Sequence, residues 1–416
     1  MQHSDIILFF LQLSALLSVA VVSGHIATRL RVPAVLGEIL GGVLLGPTLF
    51  GALAPSTFAQ LFPPDGATGV WRDVFVKVGM VFFLLAVGLE VDIRHLRSRG
   101  PASLLTALLG WLTPLIVGFG LAFAWPSLWG SVGAGRPFVF ALFMGTALSI
   151  TALPVIARIL LDLRLLDSEI GHVILTAAAL SDVAGWMLFA VLLSAISAGG
   201  AAASPLLPVL RMVAFTAAVF ACGRWGCRPL FRWARTSLAW PSGFIGVVSV
   251  LTFLAAGGAE LCGLHAVFGA FVFGVAIVSD FDFAGGQQAR DVLHQFAVSF
   301  FAPLYFVSVG LRTNFVAHFD LLLALTLTAA ATIAKVLGSW AGARLGGMRA
   351  RDALAVGVGM NGRGAMEIIL ASVALDAGLI DGRIFAALVF MAVATSMMSA
   401  TALRRLTTPQ ASESRP

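Results

Sequence analysis

The 416-residue chain is 59% hydrophobic and only 11% charged, with a mean hydropathy of +0.98. This composition excludes a soluble globular protein and indicates a membrane protein with many spans. The net charge is +6, and 24 of the 26 basic residues are Arg, which lie in short loops between apolar runs. Such spacing is typical of a membrane topology signal and argues against nucleic-acid binding.

Apolar runs of roughly the length of a bilayer crossing predict about thirteen transmembrane helices. The predicted spans are residues 5–24, 34–50, 75–91, 102–124, 137–160, 170–196, 204–222, 241–259, 264–279, 293–311, 320–343, 353–376 and 383–403. The fold class is therefore an all-α polytopic membrane protein. We expect residues 1–416 to form a single membrane domain with a short cytoplasmic tail, 404–416, and no soluble regulatory domain.

The basic residues also predict an orientation. If the N-terminus faces outside, eighteen basic residues lie in the inner loops and the tail, six lie in the outer loops and two lie within spans. Because short inner loops carry an excess of Lys and Arg, this bias predicts an outside N-terminus and a cytoplasmic C-terminus. The expected location is the plasma (inner) membrane of the cell.

Charged side chains are predicted at the level of the bilayer centre. Asp182 lies near the middle of span six, Lys335 is central in span eleven, and Arg363 and Glu367 are central in span twelve. A charge at this depth costs at least about 2.5–3.5 kcal/mol on insertion scales, so such residues are functional by default. Arg363 and Glu367 are four apart and can form a structural ion pair on one helix.

Two spans carry residues that interrupt a helix at the same depth. Span five contains "GTALSITALP", with Thr146, Ser149 and Thr151 just before Pro154, and span twelve contains "GVGMNGRG". Proline removes a donor and glycine loosens a helix, so both spans are expected to break at mid-membrane. Interrupted spans in opposed halves predict inverted repeats, here spans four to six and eleven to thirteen.

These features predict an exchange site for a monovalent cation. Asp182 can hold a proton or, once ionised, a metal cation. The predicted oxygen ligands for Na⁺ or K⁺ beside it are the hydroxyls of Thr146, Ser149, Thr151 and Ser181. Other interpretations remain for each group. The hydroxyls can bond back to their own helix, Asp182 can make a structural hydrogen bond, and Lys335 can serve only as a structural ion-pair partner.

Several motifs together resemble the cation:proton antiporter-2 family of the sodium/hydrogen exchanger fold. They are "RVPAVLGEILGGVLLGPTLFG", "FFLLAVGLEVD", "GTALSITALPVIARILLDLRLLDSEIG", "LHAVFGAFVFGVAI", "FFAPLYFVSVGLRT" and "AKVLGSWAGARLGG". The resemblance extends over essentially the whole chain. It implies thirteen helices, a homodimer, a mobile six-helix ion-carrying domain and alternating access.

The resemblance also assigns roles to residues. Asp182 is implied to be the ion-binding acid, Thr151 and neighbouring oxygens its ligands, and Lys335 the charge-compensating base. One position departs from the family pattern, because electrogenic members have two adjacent acids and this chain has Ser181 before Asp182. Since Ser181 cannot release a proton near neutral pH, one cation per proton is the simpler expectation.

Two other functions are compatible with parts of the pattern. A carrier for an organic anion would rely on Arg and helix N-termini rather than on a carboxylate, and a channel would need a continuous pore lined by rings of charge. No nucleophile–base pair, phosphate loop or metal-ligand spacing suggests an enzyme or a cofactor. The prediction is therefore a Na⁺ or K⁺ exchanger for protons, with no cofactor.

Overall fold

The computed structural model describes residues 3–30, 34–63, 67–90, 100–130, 132, 135–165, 168–197, 206–281, 283, 286–312, 314, 317 and 319–407. Within these residues the secondary structure is helical, as the all-α prediction requires. Eight helical segments of the described chain are long and apolar enough to cross a membrane. Each of the thirteen predicted spans overlaps a helix or a pair of helices, but their number as membrane crossings stays a prediction.

One compact unit comprises Met1–Arg97 and Ala190–Ala317. Its helices are α1 (His3–Arg29), α2 (Ala34–Leu45), α3 (Phe50–Leu53), α4 (Pro55–Leu61), α5 (Ala67–Glu90), α11 (Leu206–Ala221), α12 (Arg228–Ser237), α13 (Ser242–Leu261), α14 (Ala266–Ile277), α15 (Gly286–Phe296) and α16 (Ala302–Leu311). Helix α2 packs between α1 and α16, and α14 packs on α5 and α13. Apolar side chains around Leu16, Leu304 and Val307 form a buried cluster in this unit.

The helix of predicted span seven continues well beyond its predicted end at residue 222. A π-helical turn, Cys222–Cys227, joins α11 directly to α12, so the Arg-rich segment after the span is helical rather than a loop. Pro229 accounts for this turn, since a proline ring clashes with the carbonyl four residues earlier in a regular α-helix and the wider π turn relieves that contact. The sequence pattern missed this continuation.

The second compact unit comprises Ser98–Phe189 and His318–Pro416. Its helices are α6 (Pro101–Ala124), α7 (Pro126–Trp129), α8 (Pro137–Ser149), α9 (Leu153–Asp162), α10 (Glu169–Ser197, up to Phe189), α17 (Leu321–Leu345), α18 (Ala350–Gly359), α19 (Ala365–Asp376) and α20 (Gly382–Thr407). Helix α6 packs on α8 and α17, and α20 packs on α17, α18 and α19. This unit contains spans four and five, span six up to Phe189, and spans eleven to thirteen, which include the two sets predicted as repeats.

Small residues bring α6 and α17 into backbone contact. Gly338 and Gly342 on α17 and Gly346, which caps its C-terminal end, recur every fourth residue and face α6. A Cβ atom at Gly342 would lie 2.3 Å from the Leu105 carbonyl oxygen, and one at Gly346 would lie 2.2 Å from the Ala102 Cα. Close helix packing through small residues is a principal source of helix association in membranes, where no hydrophobic force acts between helices. This contact fixes the position of α17, the helix that carries Lys335, against α6.

Candidate functional site

The first interrupted helix lies where the sequence predicted it. Helix α8 ends at Ser149 and α9 begins at Leu153, with an extended backbone at Ile150 (φ −64°, ψ 145°). Pro154 explains the position of the break, because a proline ring there would clash with the carbonyl of Ile150 in a continuous helix. The break leaves Thr151 in the gap between the two half-helices.

An α-helix that ends inside a protein leaves its last carbonyl groups without helical partners. At the end of α8, the guanidinium of Arg363 supplies donors for two of these groups: Nη1 donates to the Ala147 oxygen at 2.8 Å, and Nη2 donates to the Leu148 oxygen. The planar guanidinium suits this task, since its N–H groups form a rigid fork. Arg363 is 1% exposed, so these hydrogen bonds are shielded from water.

Lys335 supplies the next donor at the same helix end. Its Nζ donates to the Ser149 carbonyl oxygen at 2.6 Å, and the side chain is fully buried. Two cationic groups therefore meet the negative end of the α8 dipole, which they stabilise. Asp182, Glu367 and Arg363 are the charged residues close enough to influence Lys335 electrostatically.

The second interrupted helix is also where it was predicted. Helix α18 ends at Gly359, and α19 begins at Ala365. The two breaks contact each other directly, since the Ala152 N–H donates to the Gly362 carbonyl at 3.1 Å. A Cβ atom at Gly364 would lie 2.7 Å from Val155 Cγ2, which explains why the second break is rich in glycine.

Asp182 lies at the middle of α10 and is 2% exposed. Gly185, three residues later, packs against the first break: a Cβ atom there would lie 2.9 Å from Ile150 Cγ1. Residues three apart share one helix face, so Asp182 lies on the side of α10 that faces this break. The structure therefore brings Asp182 and Lys335 to the same break, as the sequence predicted.

Two predicted ligands, one in the first break and one next to Asp182 in sequence, are buried hydroxyls that have no hydrogen-bond partner among the described residues. Thr151 Oγ1, in the break, and Ser181 Oγ, next to Asp182, have no partner among the residues that the structure describes, although these residues are 0% and 1% exposed. Leaving a buried polar group unpaired costs about 1–3 kcal/mol. Such oxygens are suited to a ligand that brings its own positive charge.

The other two predicted hydroxyls bond within their own helix. Thr146 Oγ1 donates to the Leu142 carbonyl at 2.7 Å, and Ser149 Oγ donates to the Thr146 carbonyl at 2.8 Å. This is the structural interpretation that the sequence left open for them. Their role as ion ligands stays a prediction, and the geometry favours Thr151 and Ser181 over them.

Arg363 and Glu367 form the ion pair expected from their spacing. Arg363 Nη1 lies 3.5 Å from Glu367 Oε2, and both side chains are 1% exposed. At this separation the contact is electrostatic and longer than a hydrogen bond. Glu367 lies in the first turn of α19, where a negative charge also interacts favourably with the helix dipole.

Sequence reasoning did not identify the residues that hold the second break. On α20, Ser396 Oγ accepts from the Arg363 N–H at 3.1 Å and donates to the Arg363 carbonyl, while Ser399 Oγ donates to the Val358 carbonyl. Asn361, inside the break, is 2% exposed, and its Nδ2 lies 3.4 Å from Thr332 Oγ1. The three-residue spacing of Ser396 and Ser399 within an apolar span was the available signal, because it places both hydroxyls on one helix face.

The donor set around Asp182 is made of oxygen atoms. The Asp182 carboxylate and the Thr151 and Ser181 hydroxyls are hard ligands of the kind that alkali and alkaline-earth cations prefer. No group of three His, Cys, Asp or Glu side chains that could hold a metal ion occurs in the described part of the chain. A single negative charge matches a monovalent cation better than a divalent one.

Comparison with known proteins agrees with this geometry. The family model described as "Sodium/hydrogen exchanger, transmembrane" matches residues 14–408. The chain belongs to the sodium/hydrogen exchanger family. The resemblance drawn from the sequence motifs is thus confirmed, and the breaks, Asp182 and Lys335 all lie within the residues that match the family.

Individual relatives of the sodium/hydrogen exchanger family differ in length. Cation/H(+) antiporter 18 of Arabidopsis thaliana is 33% identical over 94% of this chain and 48% of its own length, so the chain spans about half of that relative. The Na(+)/H(+) antiporter NhaS4 of Synechocystis is 28% identical over 96% of this chain and 97% of its own length. The solved sodium proton antiporter MjNhaP1 of Methanocaldococcus jannaschii has a TM-score of 0.65 with 14% identity, covering 96% of both chains, which shows a shared fold.

Proposed function

We propose that this exchanger-family protein is a secondary antiporter that exchanges Na⁺ or K⁺ for H⁺ by alternating access. Asp182 binds the proton and the cation in turn. Thr151 and Ser181 supply further oxygen ligands, and Lys335 compensates charge beside them. The observation that carries the proposal is the buried carboxylate of Asp182, on the face of α10 toward a broken helix and beside hydroxyls without hydrogen-bond partners in the described chain.

The exchange follows from the cost of burying charge. An ionised carboxylate in a low-dielectric site is unfavourable unless a positive charge accompanies it, so the site favours either a bound proton or a bound cation. Lys335 does not replace that cation, because its ammonium donates to the Ser149 carbonyl and stabilises the α8 end. With Ser181 unable to titrate near neutral pH, we propose that one proton is released for each cation bound.

The alternative of an organic-anion carrier has less support. Such a carrier needs a cationic group available for the substrate, and the guanidinium of Arg363 already donates to the carbonyls of Ala147 and Leu148 and pairs with Glu367. Breaking these contacts during each transport cycle would expose buried carbonyl groups. The names of the Arabidopsis and Synechocystis relatives, both of which are antiporters of cations and protons, also support the cation proposal.

The finer features of the assembly are part of the same proposal. We place the protein in the plasma membrane as a homodimer, with its N-terminus outside and its C-terminus in the cytoplasm. The bias of eighteen basic residues toward the inner side supports the orientation.

Everted membrane vesicles with an acidic interior test the exchange directly. A pH-sensitive dye reports the proton gradient, and we expect sodium or potassium chloride to restore its fluorescence when the chain is present. Vesicles from the same cells without the chain are the control. If vesicles shown by immunoblot to contain the chain respond to neither cation nor to lithium, the antiporter proposal is wrong.

Thr151→Val should weaken cation binding without altering the fold. Valine has nearly the shape of threonine but lacks the hydroxyl that we assign to the ion, so the half-saturating cation concentration should rise roughly tenfold, which corresponds to about 1.4 kcal/mol. The matched control is Thr146→Val, because the Thr146 hydroxyl is engaged with Leu142 in its own helix. Equal shifts in both variants would contradict the assignment of Thr151.

A further inference from the structure

A short amphipathic helix in the first compact unit has no part in the exchange site. Helix α12 buries Phe231 and Ala234, which are 2% and 1% exposed, and Phe231 packs on Phe244 with ring centroids 5.2 Å apart. Its opposite face exposes Arg232 and Trp233 to the surroundings. Because α12 continues from α11 through the π turn, this face is held by a helix anchored in the apolar body of the unit.

The exposed face borders a cleft of about 510 Å³. The cleft is lined by Arg232, Arg235, Thr236, Trp240 and Phe283. Its volume lies within the roughly 300–1,000 Å³ typical of small-molecule sites. The walls are partly preorganised, since the Arg235 guanidinium carbon lies 3.6 Å from the centroid of the Phe283 ring and Trp240 packs on that ring at 5.6 Å.

The described side chains that line this cleft carry positive charge from two arginines and no carboxylate. Arg228, on the same helix, forms an ion pair with Asp280 at 3.1 Å. Within the described residues no carboxylate pairs with Arg232 or Arg235. Two guanidinium groups that line one cleft, neither paired with a carboxylate of the described residues, are suited to phosphate, which they can bind through paired N–H donors.

The surroundings of the cleft indicate that such a phosphate belongs to a lipid. Trp225 and Trp233, on the same continuous helix, are 74% and 51% exposed, and Trp240 is 36% exposed at the rim of the cleft. Tryptophan is enriched at membrane–water interfaces. An amphipathic helix that combines Arg with Trp is typical of one that lies at the lipid headgroups.

We propose that the cleft formed by α12, Trp240 and Phe283 binds the phosphate of an anionic phospholipid, with Arg232 and Arg235 as the binding residues. Trp240 and Phe283 cover the glycerol portion of the headgroup. The positive charge selects anionic lipids over zwitterionic ones, because a neighbouring choline group would be repelled by both guanidinium groups. The occupancy of this site would therefore depend on how much anionic lipid the surrounding membrane contains.

Native mass spectrometry of the full chain in detergent tests this site without depending on transport. With added dioleoylphosphatidylglycerol, the parent should retain one more lipid per chain than R232Q/R235Q does, and dioleoylphosphatidylcholine should show no such difference. The matched control is R224Q/R405Q, which removes the same charge from exposed positions outside the cleft. Equal lipid loss in the two double variants would overturn the proposal, since it would show only diffuse charge attraction.

Single substitutions and a free anion complete the test. Because Arg232 is exposed, R232E should melt at the parental temperature in phosphatidylcholine and should lose the extra phosphatidylglycerol. R232K keeps the charge but not the paired N–H donors, so it should retain the extra phosphatidylglycerol more weakly than the parent and more strongly than R232E. The parental melting temperature should rise with phosphatidylglycerol and stay constant with the same concentration of inorganic phosphate. Equal stabilisation by inorganic phosphate would identify a site for a soluble anion and would overturn the lipid assignment.

Discussion

Asp182→Asn is expected to abolish cation–proton exchange while leaving the protein folded. The amide matches the shape of the carboxyl group but can neither release a proton nor carry the negative charge that binds a cation. In everted vesicles, the variant should leave the pH gradient intact when the transported cation is added. Asp182→Glu, which keeps the carboxylate but moves it by one methylene, should retain a reduced rate.

The control for this substitution is Asp352→Asn, which makes the same chemical change outside the site. Asp352 pairs with Arg349 at 2.8 Å, and Arg349 is 89% exposed on its side chain, so losing the pair costs little. This variant should exchange at the parental rate. If Asp182→Asn also exchanged at the parental rate, Asp182 would not be the exchanging group and its burial would need a structural explanation.

The number of protons released per chain when a cation binds can be measured for the parent and for Asp182→Asn. When sodium or potassium is added to purified protein in weakly buffered detergent solution, we expect one proton to be released per chain. Asp182→Asn should release none. A release of two protons by the parent would contradict the proposal that Ser181 leaves a single titrating group at the site.

Arg363→Met is expected to cause the largest loss of stability among the site variants. It removes the donors for the Ala147 and Leu148 carbonyls and leaves the Glu367 carboxylate buried without its ion-pair partner. Removing one member of a buried ion pair typically costs about 3–5 kcal/mol. Thermal unfolding in detergent should therefore show a clearly lower transition temperature than the parent.

A comparison of Arg363 and Glu367 variants separates the stability due to the carbonyl hydrogen bonds from the stability due to the ion pair. Glu367→Gln should be milder than Arg363→Met, because Arg363 keeps its carbonyl partners on α8 when the carboxylate is lost. In the double variant the losses should be less than additive, with a coupling of roughly 0.5–3 kcal/mol. The surface control is Arg349→Met, and a parental transition temperature for Arg363→Met would refute the capping role.

The interruptions of the two helices were predictable because their causes are local. Pro154 cannot continue the helix that ends at Ser149, and the glycines around Asn361 weaken the helix that ends at Gly359. The position of Asp182 in the middle of its helix followed in the same way from counting residues along an apolar span. No contact with distant residues is needed for any of these inferences.

The hydrogen bonding of the site was not predictable in this way. Thr146 and Thr151 are five residues apart in one motif, yet the first hydroxyl bonds to its own helix and the second lies in a gap where no helical carbonyl is in reach. Lys335 was expected to balance Asp182, which stays a prediction, whereas the structure shows its ammonium donating to the carbonyl at the end of α8. The hydrogen-bond partner of each side chain depends on its rotamer and on which residues lie beside it once the helices have packed.

The amino-acid sequence by itself therefore determined the apolar helices, the two breaks and the burial of one carboxylate at mid-span, since these follow from side-chain hydrophobicity and from backbone chemistry within a few residues. Only the tertiary structure decided which groups satisfy the broken helix. Arg363 meets Ala147 across 216 positions of sequence, and Lys335 meets Ser149 across 186. These pairings arise because a buried helix end must find donors, and only packing determines which donors are within reach.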